Sequence, residues 1–424
     1  MASFTWRGSA AVVRQVDTFT IGGTVEVGDI FTITIGGSTF TYTAASTTIA
    51  TEAAAMRTAL SAAITLGTYP EFTGLVAAYV SGGAFTLTGK DDGSPFTATA
   101  ATTEAGGGAA DAQTFVKTAT TAAESPNHWS VAANWEGLAI PTSSGSNDVF
   151  LDNSDVPVKW GMDQSAVTVG SLTVSASFTN GGQVGLPQWH EDGYREYRDD
   201  YLKISATTVT IGRGDGSGSD RIKLNFGSVQ TAVTVHGSDT GAEEADGIPA
   251  VLLLGTHASN TLAVLGGSVG VAFFGGEVST VATLRALAGD CITGSGVTLT
   301  TVQHSGSGNL TIQSACTTLT KDPSAGTTVV YGAGAIATAN VYGGELDHRG
   351  TGTISTLVVG ARAFANFDNH SAAIIVSAST FYAGAKVRDR NKRVTWTADP
   401  ATPGCTYADL DLDLGVGRVA NLSA

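Results

Sequence analysis

Residues 297–330 read VTLTTVQHSGSGNLTIQSACTTLTKDPSAGTTVV. Short runs of alternating apolar and polar residues, such as Leu310-Thr311-Ile312-Gln313, are separated by Gly, Ser, Asn and Asp. The same grammar extends over residues 250–384. One apolar residue per run gives two interleaved ladders. The first is Leu252, Val271, Cys291, Leu310, Val329, Leu346, Phe364 and Phe381; the second is Leu262, Val281, Leu299, Leu319, Ile336, Ile354 and Ile374. Successive rungs are 17 to 20 residues apart in both ladders. A short fixed period built from strands marks a solenoid, in which one coil buries its apolar face only by stacking on the next. The Leu-x-x-Leu-x-Leu pattern of a leucine-rich repeat is absent, and so is the 3.6-residue pattern of a helical repeat. The expected fold is therefore mainly β, a right-handed parallel β-helix, with a β-sandwich as the alternative. Alternation places Leu310 and Ile312 inside and Thr311 and Gln313 outside.

Working outward, the solenoid is expected to span 166–396, with insertions at 180–201 and 237–249. Residues 1–120 have a different grammar and read as a small α+β attachment domain. Asp17–Ile21, Asp29–Ile35 and Ser38–Thr43 alternate as strands, and Gly36-Gly37 marks a hairpin. Ile49, Ala53, Met56, Leu60 and Ile64 share one helical face that ends at Gly67. Residues 101–112, rich in Gly and Ala, read as a linker. Residues 121–165 read as linker and cap, with Trp129 and Trp135 covering the first coil. Residues 397–424 form a C-terminal segment in which Asp409–Leu414 alternates Asp and Leu as one more strand.

The chain has 424 residues, net charge −15, 14% charged residues and 54 glycines. That balance suits strands and tight turns, and it argues against a nucleic-acid binder, which needs a basic face. No apolar run is long enough to span a bilayer. Residues 1–7 show neither the basic nor the apolar region of a signal peptide, so synthesis and assembly in a cytoplasm are expected. Cys291, Cys316 and Cys405 are widely spaced and read as reduced thiols.

Several local patterns combine into a resemblance. They are the opening strands, Trp129 and Trp135, Gly185-Leu186-Pro187, Ile211-Gly-Arg-Gly-Asp-Gly-Ser-Gly-Ser219, Gly255-Thr-His-Ala-Ser259 and Gly267-Ser-Val-Gly-Val271. Together they resemble a family of tailed-bacteriophage virion structural proteins, over nearly the whole chain. The resemblance implies a non-enzymatic part of the virion: a capsid-decoration or head-spike protein, or alternatively a tail fibre or spike. It brings no catalytic residues. Capsid or tail proteins are the implied partners, together with host surface glycans. A β-helical polysaccharide depolymerase is the enzymatic rival. It would need ionisable groups stacked on adjacent coils, and residues 250–384 hold only Glu277, Asp290, Asp322, Glu345, Asp347 and Asp368 as acids.

Four candidate sites follow. The stretch 189–201 is the most charged and aromatic of the chain, and Trp189, Tyr194, Arg195, Tyr197 and Tyr201 are its candidate contacts for sugar or protein. The glycine-rich 212–220 offers calcium-like oxygens but lacks the bidentate Glu, so it reads as a turn. Glu345 and Asp347 flank an inward Leu346 and should share the outer face about 6–7 Å apart, without a third ionisable neighbour. The seven histidines show no zinc spacing, so neither metal nor cofactor is expected. The basic run 386–393 reads as a charged solenoid end. Finally, if Leu252 and Leu254 point inward, Val251 and Leu253 point out, and Leu265 and Phe274 extend the patch. An exposed apolar face of that size needs a cover. The expectation is a second copy of the chain, in a trimer or, failing that, a dimer.

Overall fold

The computed structural model describes residues 2–105, 112–178, 183–213, 221–238, 247–324, 326–369 and 372–414. The glycine-rich 214–220, the acidic 239–246 and the linker residues 106–111 lie outside them.

The body is a parallel β-solenoid of about 11 coils. In one coil, Val297–His304 pairs in parallel with Ser279–Ala286 on one side and Cys316–Lys321 on the other. Leu310–Ile312 pairs likewise with Asp290–Thr293 and Thr327–Val330. Burial alternates along Val297–His304 except at Thr300 and Thr301, which are both exposed. Two consecutive outward residues turn a corner, so the run is two strands joined by a bend and each coil has three inner faces. The second ladder therefore mixes two columns. One runs through Val281, Leu299, Cys316, Ile336 and Ile354; the other runs through Leu284, Val302, Leu319, Ala339 and Leu357.

The first ladder needs a correction of one residue at three rungs, and its last rung moves from Phe381, which pairs with Val359 in the other column, to Val387. Val251 and Leu253, Thr328 and Val330, and Ala363 and Ala365 are buried inside, not Leu252, Val329 and Phe364. A threonine enters the core at Thr328 because its hydroxyl pairs with His304 Nδ1 at 2.8 Å, which removes the cost of burying it. Cys291 and Cys316 are small buried fillers, and burial pushes each thiol up to about 12.

The solenoid begins earlier than residue 166. Ser3–Thr5 pairs in parallel with Ser144–Leu151, and Trp6 joins the two expected tryptophans. Ring centroids lie 5.2 Å apart for Trp6 and Trp135 and 4.6 Å for Trp129 and Trp135, in edge-on geometry. All three are buried and close that end of the stack. The α+β unit is thus an insertion, not a leading domain. The chain leaves the solenoid and returns where Val13 and Glu124 bridge each other. A three-residue strand carries too little pattern to announce its partner 145 residues away.

Within the insertion, the helix Ile49–Thr65 packs Ala53, Met56 and Leu60 into a core of its own. Two antiparallel sheets enclose it. Val76–Ser81, Ala84–Thr88, Val16–Gly23 and Gln113–Thr121 form one; Ser38–Thr43, Ile30–Ile35 and Ala98–Thr103 form the other. Of the residues expected to be linker, 101–103 belong to a strand, and the next strand starts just beyond them at Gln113. Glu52, buried in the first helical turn, accepts hydrogen bonds from Tyr42 Oη, Ala45 N and Ser46 Oγ.

At the other end, Asp411–Asp413 pairs with Lys386–Arg388 as the expected last strand. The basic run is mostly engaged within the chain. Arg390 pairs with Asp368, Lys386 with Asp411, and Arg388 lies over the Phe364 ring. Arg393 is buried and donates to the carbonyls of His348, Gly350 and Ala372. It ties the turn at 348–350 to Ala372 instead of facing solvent.

Candidate binding cleft at the domain junction

Residues 185–201 leave the coils and fold back across their outer face. Val184 still lies in a coil, accepting from Lys223 N at 2.9 Å and donating to Arg221 O at 2.8 Å. Gly185 then turns the chain at φ +108, in the left-handed region. A side chain there would place its Cβ 2.6 Å from Asp200 O and 2.9 Å from Lys223 Cβ. This close approach is what the Gly-Leu-Pro of residues 185–187 provides.

Lys223 sits beneath the insertion. It faces outward from Ile222–Asn225, yet its side chain is only 1% exposed. Its Nζ donates to Leu186 O at 2.7 Å and to Asp200 Oδ2 at 3.1 Å, and lies 5.6 Å from the ring centroids of Tyr201 and Phe274. Burial lowers its pKa, against the pull of Asp200. In register with Lys223 stands Leu252, then Gly270. Leu252 is outward and fully buried, and its Cδ2 approaches Gly270 together with Phe273 and Pro249.

This overturns the expected self-association face. Val251 and Leu253 line the solenoid core, while Leu265 and Phe274 are partly buried. The outward face of that strand is Leu252, and the chain covers it from within. The four-residue apolar run gave alternation no handle, so the register was open by one residue.

The tip of the insertion is a short antiparallel ribbon. His190 N donates to Tyr194 O and Glu196 N to Gln188 O, both at 2.8 Å. Trp189 and Arg195 are thus a directly opposed pair without hydrogen bonds to each other, the kind whose side chains stand closest. Alternation separates two faces. His190 and Tyr194 stack at 4.5 Å and, with Tyr197 and Arg198, pack against Lys90, Pro95 and Phe96 of the α+β unit. Trp189, 67% exposed, and Arg195 face solvent.

The inner face is a latch between the two bodies. Lys90 Nζ lies 2.6 Å from Asp192 Oδ2, Thr97 N donates to Tyr197 Oη, and Arg198 donates to Pro95 O. Gly36, at φ +58, lies so close to Tyr197 that a Cβ would be 2.5 Å from its ring. Glu196 holds Arg198 through two bonds of 2.7 and 2.9 Å, and the guanidinium lies over the Trp160 ring. Burial alone would raise Glu196, but Arg198 and backbone donors outweigh it and lower its pKa. Burial raises both Tyr194 and Tyr197. Tyr194 and Tyr201 are buried, so of the five expected contacts Trp189 and Arg195 face outward, while the tyrosines hold the insertion in place.

Beside that outer pair opens a polar cleft of about 180 Å3. Gln188, Arg195, Glu196, Arg198 and Asp200 line it from the insertion, and Phe274, Gly275 and Glu277 from a solenoid corner. Burial raises the Glu277 carboxyl, and the charge of Asp200 adds to the shift, although Phe274 N donates to it at 3.0 Å. Burial likewise pushes the Tyr201 hydroxyl up, with Glu277 contributing. Gln188, Lys223 and Glu277 were missed from the sequence, since nothing in a linear reading links residues 188, 223 and 277.

The remaining candidates are structural. Leu346 is inward as expected, but Asp347 is buried beside Arg349 at 2.6 Å, and Glu345 accepts from Asn366 Nδ2. Among the described residues, no group of three or more His, Cys, Asp or Glu is placed to hold a metal ion. No described helix is long and apolar enough to cross a membrane. No protein-family model, curated protein or solved structure matches the chain.

Proposed function

We propose that this protein is a structural component of a tailed-bacteriophage virion, a capsid decoration or head spike, that works by binding. The solenoid supplies a stiff rod, and the α+β unit inserted near its capped end supplies the attachment to capsid partners. The cleft beside Trp189 and Arg195 faces host surface glycans. The observation that carries the binding part is the mount. An exposed arginine lines a concavity rich in polar groups, and an exposed tryptophan stands directly opposite it on a ribbon locked to both bodies, so the groups that would read a ligand are held in place. The virion part rests on the sequence resemblance, and a rod that closes its own end suits an extracellular particle surface. Immunogold labelling of purified particles, with antibody against the α+β unit, tests it. Gold on heads is the expected result. Gold on tails would favour the tail fibre or spike, and unlabelled particles would refute both placements.

A further inference from the structure

We propose that the junction cleft takes an acidic saccharide, its carboxylate on Arg195 and its ring face on Trp189. The inference rests on the glycan reading above and adds the ligand's charge and the two residues that read it.

The first ground is which cation remains available. Lys90 is paired with Asp192, Arg198 with Glu196, and Lys223 with Asp200. Arg195 is exposed, lines the cleft and has no ion-pair partner among the described residues. A guanidinium presents a planar fork that matches a carboxylate through two parallel hydrogen bonds.

The second ground is the platform beside it. Trp189 is directly opposed to Arg195 in a pair without mutual hydrogen bonds, so both side chains rise from one face at the closest cross-strand spacing. An exposed indole with no apolar cover offers a flat surface for the C–H face of a sugar ring, beside a cation for its acid group. The third ground is the floor. The cleft, of about 180 Å3, is roomy enough to admit several waters or a small polar group. Gln188 and the carboxyl of Glu277 stand there as partners for hydroxyls.

Charge narrows the class further. The chain carries a net charge of −15, and Glu196, Asp200 and Glu277 share the cleft with Arg195. A densely charged polyanion is repelled by that surrounding, whereas a single carboxylate held on the unpaired guanidinium leaves only neutral hydroxyls to face those acids.

The test is a glycan array. It carries uronic-acid and sialic-acid oligosaccharides, each beside its carboxyl-reduced form, together with neutral and sulfated glycans. Wild type should bind an acidic member at least tenfold more tightly than its reduced form. Arg195→Gln should lose at least tenfold on the acidic member and nothing on the reduced one, with Arg195→Lys between. Trp189→Ala should weaken both forms. Both side chains are exposed, so unchanged melting temperatures confirm folded variants. Equal binding of acidic and reduced forms, or preference for sulfated glycans, overturns the inference while the glycan reading stands. Binding to no glycan overturns both. Loss of virion attachment in Trp189→Ala alongside an empty array would reassign the surface to a protein partner.

Discussion

Lys223→Met isolates the group on which the insertion is seated. Methionine keeps the length and the apolar stem of lysine, so the substitution removes chiefly the ammonium. Two bonds go with it: 2.7 Å to Leu186 O and 3.1 Å to Asp200 Oδ2. Hydrogen bonds from a charged donor contribute about 1.5–3 kcal/mol each. The Asp200 side chain is 25% exposed and regains water, so little of its bond is lost in net terms. The buried Leu186 carbonyl is left without its donor, and relief of the lysine's own desolvation offsets part of that loss. The expected net loosening is about 1–2 kcal/mol, which is roughly 5- to 30-fold in a local opening equilibrium.

Hydrogen exchange reads this directly, because opening of one segment need not unfold the rod. Leu186 N donates to Asp200 O at 3.0 Å and Gly185 N to Val158 O at 2.9 Å, so these amides report the seat. In Lys223→Met they should exchange faster by that factor. Tyr331 N, bonded to Ile312 O in distant coils, should not change. Exchange at Leu186 within twofold of wild type would refute the reasoning, because the ammonium would then not be what holds residues 185–200 down.

Three further outcomes are expected. Leu310→Asp buries an unpaired charge at a fully buried position and should cost several kcal/mol, while Thr311→Asp, facing outward, should be mild; equal melting temperatures would break the assigned register. Leu253→Glu should unfold or fail to express rather than dissociate an oligomer, because Leu253 lies in the solenoid core; a folded variant of lower solution mass by light scattering would restore the self-association face. Burial and the charge of Lys321 lower His304 from 6.5 to about 4. Between those values the unfolded chain binds more protons than the folded one, so stability is intact above 6.5 and falls until pH 4, by about 3 kcal/mol in all. His304→Gln should flatten that part of a melting-temperature profile between pH 4 and 6.5, and an unchanged slope would assign it to other groups.

The solenoid was legible because stacking writes itself into the sequence once per coil. Each coil must bury residues above the last, so the spacing of Cys291, Leu310 and Leu346 is set by the circumference and survives variation in the turns. Its finer register was legible only where apolar and polar residues alternate. Thr298 and Gln303 flank buried positions and fix Val297–His304, whereas Val251–Leu254 is apolar throughout and reads equally well in either phase. Polar residues in the core mislead in the opposite direction. Thr328 is buried against His304, and Asp389 is buried while accepting from Arg393 N and Val394 N. The outer ribbon was legible as a cluster of aromatic and charged residues, but which of them face out depends on what lies beneath. Only Lys223, Lys90, Pro95 and Phe96 decide that Tyr194 and Tyr201 go in while Trp189 stays out.

The location of the cleft follows from the architecture. Stacked coils present flat or convex outer faces, so a concavity has to be made by segments that stand off the coil. Residues 185–201 and the corner at 273–277 are two such segments, and they meet over Lys223. A ribbon of this length would be mobile alone, since its ladder holds only two backbone bonds between Gln188 and Glu196. The α+β unit supplies the missing rigidity through Lys90–Asp192, Arg198–Pro95 and the Gly36–Tyr197 contact. If the α+β unit anchors the rod as proposed, the anchoring unit is also the one that holds the cleft in shape. A displacement of the α+β unit reaches Trp189 and Arg195 through one short ribbon, so the proposed attachment and the proposed ligand site would share a single mechanical link.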